Sequence, residues 1–331
     1  MKLRQFYLSA TSCILVAIIA CSGLGSVHAA RIVAWGRNDD GEINVPTGDD
    51  FFAIATGYLH NLALREDGSI VGWGRNNYGQ ASPPSGAEFA AIAAGGNSSF
   101  ALTFDGSIIG WGHNEYGQLN VPAGNDFVSI AAGEVHGLAL RSNGSLAAWG
   151  FDLGGQTIVP AGNDYIAIAS GARHNLALKS DGSIVAWGYD LFGRTNPPLG
   201  NEFVAIAASG AHNLALRTDG SLVGWGNNSY SQINVPSGHD FVSIGGGWEH
   251  SLAIRSDGSV IGWGWNSNGQ VEVPLFPGFI AVTGGLFHSV ALQVPEPTSF
   301  VTFLLSSVLL GTTRPAWRYR ARIKRRTGVR Q

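Results

Sequence analysis

The chain has 331 residues, of which 45% are hydrophobic and only 13% are charged, and 47 are glycine. This composition is too apolar for a disordered chain and is typical of many short strands joined by turns. Residues 31–293 carry 10 basic and 22 acidic side chains, a net charge of −12. Such a charge repels phosphate backbones, so it excludes nucleic acid from the expected partners.

Residues 1–29 have the pattern of a secretory signal peptide. Two basic residues precede the apolar run CILVAIIA, which is too short to span a bilayer, and Val27 and Ala29 occupy the small-residue positions of a cleavage site. The pattern predicts cleavage after Ala29. An alternative is lipid attachment at Cys21, because IIAC weakly resembles a lipidation motif. Both cysteines lie in this segment, so no disulfide is expected in the body.

The body is an internal repeat. A Trp-Gly pair recurs seven times at intervals of 38 residues, and the period lies in the range of propellers and solenoids. The tryptophans are Trp35, Trp73, Trp111, Trp149, Trp187, Trp225 and Trp263. One copy contains a strand of the type FVAIAAS, a strand HNLALR, an Asp-Gly hairpin turn and a strand SIVGWG. A connection of the type NNYGQ follows, with room for a short fourth strand at INVP.

The two ends of the repeat region indicate a closed ring. The body starts with the third strand of a copy, RIVAWG, and ends with the first two, FIAVTGGLFHSVALQ. If the N-terminal strand completes the last copy, closure removes the exposed sheet edges. Residues 30–293 are therefore predicted to form an all-β, seven-bladed β-propeller of about three-stranded antiparallel blades. The blades are predicted to start near Phe51, Phe89, Phe127, Tyr165, Phe203, Phe241 and Phe279.

The repeat also carries a family resemblance. The pattern G..H.LAL..DG.I..WG.N.YGQ resembles the regulator-of-chromosome-condensation repeat. The short period and the GQ..VP after each Trp-Gly are most similar to the branch of the beta-lactamase inhibitor protein II, whose members are secreted propellers of three-stranded blades. The resemblance implies the same fold here. It implies no single function, because the family includes exchange factors, inhibitors and surface proteins.

Three sets of residues recur at fixed positions and are interpreted as structural. Six histidines begin second strands, with Ser98 in place of the seventh; they are too far apart to share a zinc ion, so we expect each to hydrogen-bond locally at its strand start. The repeat tryptophans are expected in the core between blades. The Asp-Gly turns have no calcium-binding ligand run. No metal and no cofactor is predicted.

Enzyme motifs are missing from the sequence: there is no G-x-S-x-G elbow, no H-E-x-x-H and no phosphate-binding glycine loop. A glycosidase with two loop carboxylates is the remaining catalytic alternative, but no two carboxylates stand out as a pair. The expectation is that the protein is not an enzyme.

Two segments differ among the copies. One lies between the first and second strands, and the other follows Trp-Gly. In an antiparallel meander both lie at the same end of the ring, so they define one variable face. Aromatic residues recur there, and such residues are enriched at binding hot spots. The candidates for a binding face are Tyr58, Tyr78, Tyr116, Phe151, Tyr189, Tyr230, Trp248, Trp265 and Phe287. Glu134 and Glu249 lie beside them and would favour basic groups in a partner.

Residues 294–331 contain Pro295-Glu296-Pro297, an apolar run and a basic cluster. The order of these parts resembles a PEP-CTERM sorting signal of Gram-negative bacteria, which implies an exosortase partner and transient membrane association. The alternative is a membrane anchor formed by a C-terminal helix. The first hypothesis for the whole chain is an exported, surface-associated or extracellular binding module for a protein or glycan. The rival hypothesis is a passive structural component of the cell surface or extracellular matrix.

Overall fold

The computed structural model of the protein describes residues 30–294. This range contains 21 strands in seven three-stranded antiparallel sheets, which confirms the predicted fold class. Within residues 30–294 there is no helix long and apolar enough to cross a membrane. The predicted signal peptide of residues 1–29 and the predicted sorting signal of residues 294–331, apart from Val294, lie outside the described residues.

Each blade has an inner, a middle and an outer strand. The inner strands are β2 (Phe51–Thr56), β5 (Phe89–Gly95), β8 (Phe127–Ala132), β11 (Tyr165–Ser170), β14 (Phe203–Ala208), β17 (Phe241–Gly246) and β20 (Phe279–Gly284). The middle strands are β3 (His60–Arg65), β6 (Ser98–Thr103), β9 (His136–Arg141), β12 (His174–Lys179), β15 (His212–Arg217), β18 (His250–Arg255) and β21 (His288–Gln293). The outer strands are β1 (Arg31–Gly36), β4 (Ile70–Gly74), β7 (Ile108–Gly112), β10 (Leu146–Gly150), β13 (Ile184–Gly188), β16 (Leu222–Gly226) and β19 (Val260–Gly264). Blades 1 to 6 run in chain order from β2–β3–β4 to β17–β18–β19, and blade 7 is β20–β21–β1.

The Asp-Gly hairpins join the middle and outer strands as predicted. Asp67 accepts a hydrogen bond from the backbone N–H of Ser69 at 2.8 Å, and Gly68 has φ +85°. The five remaining hairpin turns of this type, four Asp-Gly and one Asn-Gly, make the same contact. Because only glycine adopts this φ without strain, the turn residue sets the register of the hairpin.

The N-terminal strand closes the ring. β1 pairs with β21 over its whole length, from Arg31 opposite Gln293 to Gly36 opposite His288. The indole Nε1 of Trp35 donates to the carbonyl of Gln270 at 2.9 Å. The six other repeat tryptophans make the same bond to the residue 31 positions earlier. Blade 7, which combines strands from both ends of the repeat region, is therefore stabilised by the same tryptophan bond as the other blades.

The core lies between neighbouring blades. The leucines of β3, Leu62 and Leu64, pack against Phe89 and Ile92 of the next inner strand and are fully buried. Burying one such side chain contributes about 1.5–3 kcal/mol. The predicted inter-blade position of the repeat tryptophans is confirmed, since Trp73 and Trp149 are buried in these clusters.

The connection after each outer strand forms no fourth strand within the described residues. Ile43 to Pro46, for example, is a turn followed by irregular chain, with the N–H of Val45 donating to the carbonyl of Ile43 at 2.9 Å. The carbonyl of Glu42, directly before this segment, accepts the indole N–H of Trp73 at 2.8 Å.

Candidate functional site

The two variable segments lie at the same end of the ring. We call the segments between inner and middle strands the inner turns: 57–59, 96–97, 133–135, 171–173, 209–211, 247–249 and 285–287. The segments after the outer strands are the outer loops: 37–41, 75–79, 113–117, 151–155, 189–193, 227–231 and 265–269. In each blade the first residue of the outer loop donates its N–H to the last residue of the inner turn, as Arg75 does to Leu59 at 2.7 Å. This end is the loop face; the Asp-Gly turns lie at the opposite end, the hairpin face.

Glycine allows the inner turns to meet around the axis. The N–H of Tyr58 donates to the carbonyl of Gly96 in the next blade at 3.0 Å, and the N–H of Leu286 donates to the carbonyl of Tyr58 at 2.8 Å. A Cβ atom on Gly96 would lie 2.1 Å from the carbonyl oxygen of Glu134. No side chain fits at that distance, so glycine is required wherever one backbone approaches the next this closely.

The histidines connect the blades. His174 Nε2 lies 2.7 Å from Asn213 Oδ1 in the next blade, and Asn213 donates through Nδ2 to the carbonyl of Arg194 at 2.9 Å. That carbonyl also accepts from Trp225 Nε1 at 3.1 Å. Because the amide uses Nδ2 as its donor, its oxygen accepts, and His174 is neutral with its proton on Nε2. The expectation of a bond local to the strand start was wrong: the bond spans 39 residues and joins two blades.

We call this series of hydrogen bonds, from a histidine to a side chain of the next blade and on to a backbone carbonyl, the histidine relay. It recurs around the ring, with a serine hydroxyl in place of the amide in three blades. The pairs are His60–Ser99, His136–Asn175, His174–Asn213, His212–Ser251, His250–Ser289 and His288–Asn61. The missing pair is informative. Ser98 replaces the histidine, and Gly137 replaces its partner, where the Trp149 ring fills the space. Both members of the relay are lost together.

Burial keeps these histidines neutral. Desolvation lowers the pKa of His60, His212 and His288 to about 3, and the same holds for His174 and His250. Burial also lowers the pKa of His136, partly offset by its bond to Asn175. Within residues 30–294 no three His, Cys, Asp or Glu side chains are grouped as metal ligands. The histidines serve the joints between blades.

Two side-chain acceptors shape six of the seven outer loops and explain the recurring N-x-x-G-Q motif. Asn76 Oδ1 accepts the N–H of Ala81 at 2.9 Å, and Gln80 Oε1 accepts the N–H of Tyr78 at 2.8 Å. Gly79 between them has φ +80°. The loop therefore presents the fourth residue after the Trp-Gly pair, here Tyr78, at a fixed place on the loop face.

Neighbouring outer loops touch through one pair of positions, in which the fourth residue of one loop meets the first residue of the next. In this pair Tyr78 contacts His113 with ring centroids 4.5 Å apart, and Tyr116 contacts Phe151 at 5.3 Å. Tyr230 stacks on Trp265 at 5.5 Å. Asp40 and Arg75 form an ion pair of 3.0 Å at the same positions. The aromatic residues are thus held by packing between loops.

The structure sorts the nine candidate residues into four groups. Tyr78, Tyr116 and Phe151 form one cluster together with His113. Tyr230, Trp265 and Phe287 form a second, and Arg37 lies over the Phe287 ring at 5.3 Å. Tyr189 stands apart, with the Arg194 guanidinium 5.1 Å from its ring centre. The fourth group is Tyr58 with Trp248.

Tyr58 and Trp248 meet over the axis. They belong to blades 1 and 6, which do not adjoin, yet their ring centroids are 5.1 Å apart and nearly perpendicular. Burial and the neighbouring Glu134 carboxylate raise the pKa of the Tyr58 hydroxyl. Glu134 is itself paired with Arg173 at 3.3 Å. The inner turns line a pocket on the axis, and Tyr58, Glu134 and Trp248 are among its lining residues.

The exposed side chains lie further from the axis. Tyr78, Tyr116, Tyr189 and Tyr230 keep between 43% and 53% of their surface accessible. The carboxylates of Asp152 and Asp190 accept backbone N–H groups of their own loops. The arrangement suits contact with a large ligand across the loop face.

Several residues of the loop face were not among the nine predicted candidates. Leu153, Leu191 and Phe192 are exposed, and the Arg194 side chain is buried beneath Tyr189. A comparison of the copies by position signals them: Leu153 and Leu191 stand where the other five copies have Asp, Asn, Glu or Ser, and Arg194 stands where five copies have Gln.

Five of the copies match the family model described as the regulator of chromosome condensation (RCC1) repeat, at residues 53–80, 89–118, 165–194, 203–232 and 241–270. These five copies are RCC1 repeats. The matched segments include the N-x-x-G-Q loop and the middle and outer strands that form the tryptophan bonds. No curated protein sequence matches the chain.

Solved structures share the fold. Prp20p from Saccharomyces cerevisiae is 20% identical with a TM-score of 0.70, over 86% of this chain and 95% of that one. Human WBSCR16 is 18% identical with a TM-score of 0.66, over 81% and 100%. The CRINKLY WD40 ectodomain of the Arabidopsis thaliana receptor kinase ACR4 is 21% identical with a TM-score of 0.60, over 74% and 92%. At these identities the likeness concerns the RCC1 fold alone.

Proposed function

We propose that this RCC1-repeat propeller is an exported, non-catalytic binding module that presents its loop face to a protein or glycan. One observation carries the proposal: four tyrosines, each fixed by packing or by its loop, remain about half exposed on the same face. A tyrosine that is already immobilised loses little entropy on binding, and its ring offers a large apolar contact with a polar tip.

The relatives support a binding role. The structure of Prp20p is described with its binding properties to Gsp1p and histones, which shows that an RCC1 propeller can serve as a binding scaffold. The likeness of the repeat to the branch of the beta-lactamase inhibitor protein II supports an exported binder of proteins. Histones are basic, and the net charge of −12 over residues 31–293 favours a basic partner here too.

Localisation follows from the two terminal segments. The signal-peptide pattern of residues 1–29 supports export. The PEP-CTERM-like pattern of residues 294–331 supports delivery to the cell surface or exterior of a Gram-negative bacterium through an exosortase. Membrane anchoring through the same segment is the alternative.

A passive structural role at the cell surface is the second candidate. The contact between Tyr58 and Trp248 supports it, because these two side chains cover the end of the axis and stabilise the ring instead of facing a ligand. For this pair the packing role is sufficient. The four exposed tyrosines also pack against neighbouring residues. About half of each side chain nevertheless remains accessible, and for this reason binding is the preferred proposal.

The test compares two sets of variants of the full chain for binding to the envelope fraction of the host. The first set changes Tyr78, Tyr116, Tyr189 and Tyr230 to serine on the loop face. The matched set changes Glu66, Ser180 and Thr218 to alanine on the hairpin face. We expect the first set to weaken binding at least about tenfold, since truncated hot-spot aromatics typically cost about 2 kcal/mol or more, and the second to leave it unchanged. Equal binding by all variants would favour the passive role, and loss through the second set alone would move recognition to the hairpin face.

A further inference from the structure

An apolar patch occupies the outer loops that follow blades 3 and 4. Its members are Leu153, Tyr189, Leu191 and Phe192, and Leu153 and Phe192 expose 75% and 55% of their surface. The loops are in direct contact: a Cβ atom on Gly154 would lie 2.6 Å from the Cβ of Tyr189. Leu153 precedes that contact, and Leu191 and Phe192 follow it within three residues. The four side chains therefore belong to one continuous surface.

These two loops depart from the other five. The position of Leu153 and Leu191 is Asp39, Asn77, Glu115, Ser229 or Ser267 elsewhere. Nothing in the loop construction requires leucine, because the bonds that shape each loop come from neighbouring positions. In these two loops Asp152 and Asp190 replace the recurring asparagine and accept the N–H groups of Thr157 and Thr195 at 3.3 and 3.1 Å. The substitution preserves the loop and adds one negative charge beside each leucine.

Phe192 is held in an unfavourable conformation. Its φ is +66°, one of two positive values at non-glycine residues in residues 30–294. In five other loops a glutamine side chain accepts the N–H at this position, as Gln118 does for Tyr116 at 2.8 Å. Arg194 replaces that glutamine, has no acceptor, and donates to the Tyr189 carbonyl at 2.7 Å. A residue such as phenylalanine is disfavoured in this region, and such strain is concentrated at functional sites.

The chemistry of the patch selects the partner. Aliphatic leucine side chains cannot hydrogen-bond sugar hydroxyls, so the patch suits an apolar polypeptide surface better than a glycan. The carboxylates of Asp152, Asp190 and Glu115 are exposed around it, whereas the Arg194 side chain beneath it is only 4% exposed. A basic partner gains from this charge, and a second acidic copy of the same chain is repelled.

We propose that Leu153, Tyr189, Leu191 and Phe192 form the centre of the loop-face interface and dock an apolar segment of a basic polypeptide. The proposal rests on the proposed function and refines it by naming the ligand class and the sector of the ring that binds it. The other five outer loops then contribute at the edge of the interface, where contacts add complementarity more than affinity.

The experiment measures binding of fluorescent synthetic peptides to the full chain by anisotropy. The probes are a peptide of alternating leucine and lysine pairs, a leucine–glutamate peptide and a serine–lysine peptide of equal length. The patch variant is Leu153→Asn, Leu191→Asn and Phe192→Asn, since asparagine occurs in other outer loops and tolerates positive φ. The control variant is Leu199→Asn with Leu275→Asn, two leucines that are 96% and 100% exposed outside the patch.

We expect the leucine–lysine peptide to bind the parent and the control equally and the patch variant at least about tenfold more weakly. The two other peptides should bind the parent weakly. Equal binding to parent and patch variant overturns the patch. Equal affinity for the serine–lysine or the leucine–glutamate peptide overturns the combined apolar and basic specificity, and concentration-dependent dimerisation abolished by the patch variant assigns the surface to a second copy instead. These outcomes are separate from the tyrosine test, which decides whether the loop face binds at all.

Discussion

At the scale of single residues, the buried histidine relay fixes how each blade meets the next. Asn213 shows the logic: its oxygen accepts from His174 and its Nδ2 donates to the carbonyl of Arg194. A buried polar side chain with both partners in place is stabilising, and the loss of one partner leaves the other unpaired. The natural copy with Ser98 and Gly137 lacks both members, so the chain itself contains the double substitution.

We therefore expect His174→Ser to lower the free energy of unfolding by about 2–4 kcal/mol, through the lost ring and the unpaired Asn213 oxygen. The double variant with His174→Ser and Asn213→Gly should lose less unfolding free energy than the sum of the losses in the two single variants. Urea denaturation of the four proteins of this double-mutant cycle measures the coupling. Ser98→His is the matched control: Gly137 offers no acceptor and the Trp149 ring occupies the space, so it should destabilise the protein. Strict additivity in the cycle would show that the relay is not a coupled unit.

At the scale of elements, β1 completes a blade whose other two strands lie more than 240 residues later. It contributes six paired residues against β21 and the Trp35 bond to Gln270. Without it β21 presents an unpaired edge, and the ring loses one of the tryptophan bonds.

Deletion of Arg31–Gly36 should therefore cause aggregation or a large fall in the melting temperature of the propeller. The control is a circular permutant that joins Val294 to Arg31 through an Asp-Gly turn and opens the chain before Phe51. The ends it joins are adjacent, because Arg31 lies opposite Gln293, and β1 is retained. The permutant should melt close to the parent. If the deletion variant melts like the parent instead, closure by β1 contributes little.

The elements could be predicted from the sequence because the copies repeat. The 38-residue period correctly predicted the first residue of all seven inner strands. The repeat region starts with an outer strand and ends with an inner and a middle strand, and this indicated that β1 completes the last blade. The side-chain partners could not be predicted in the same way. His60 bonds to Ser99 in another blade, and such a bond depends on how sheets stack, which no pattern within one copy records. The apolar patch was missed for a different reason: Leu153 and Leu191 look like ordinary loop variation until the fold brings the two loops into contact through Gly154 and Tyr189.

At the scale of the whole molecule, the histidine relay makes the stability of the propeller depend on pH. Five histidines have a pKa of about 3 in the folded protein, against about 6.5 for an unperturbed histidine. Their folded pKa values lie below the unfolded values, so between these limits the unfolded chain binds protons that the folded chain does not. The stabilisation is complete above about pH 6.5 and is lost progressively as the pH falls toward 3. The Asp-Gly turn carboxylates, whose pKa values are lowered from 3.8 by their serine hydrogen bonds, lose their contribution only as the pH falls below that value, so they do not act between about pH 6.5 and 4.5.

We therefore expect the urea midpoint of unfolding to be constant from about pH 8 to 7 and to fall steeply from about pH 6.5 to 4.5, with several protons taken up on unfolding. Each histidine contributes a slope of up to about 1.4 kcal/mol per pH unit. A variant with His60→Ser and Ser99→Gly, which copies the natural Ser98 and Gly137 pair, removes one titrating group without leaving a buried partner unpaired. Unfolding of this variant should take up about one proton fewer, so its free energy of unfolding should fall less steeply as the pH is lowered. This holds even if its urea midpoint near neutral pH is lower. Titration of unfolding against pH for the two proteins measures both slopes. A midpoint that does not change between about pH 7 and 5 would contradict neutral, buried histidines at the blade joints, and an unchanged slope in the variant would assign the acid sensitivity to other groups.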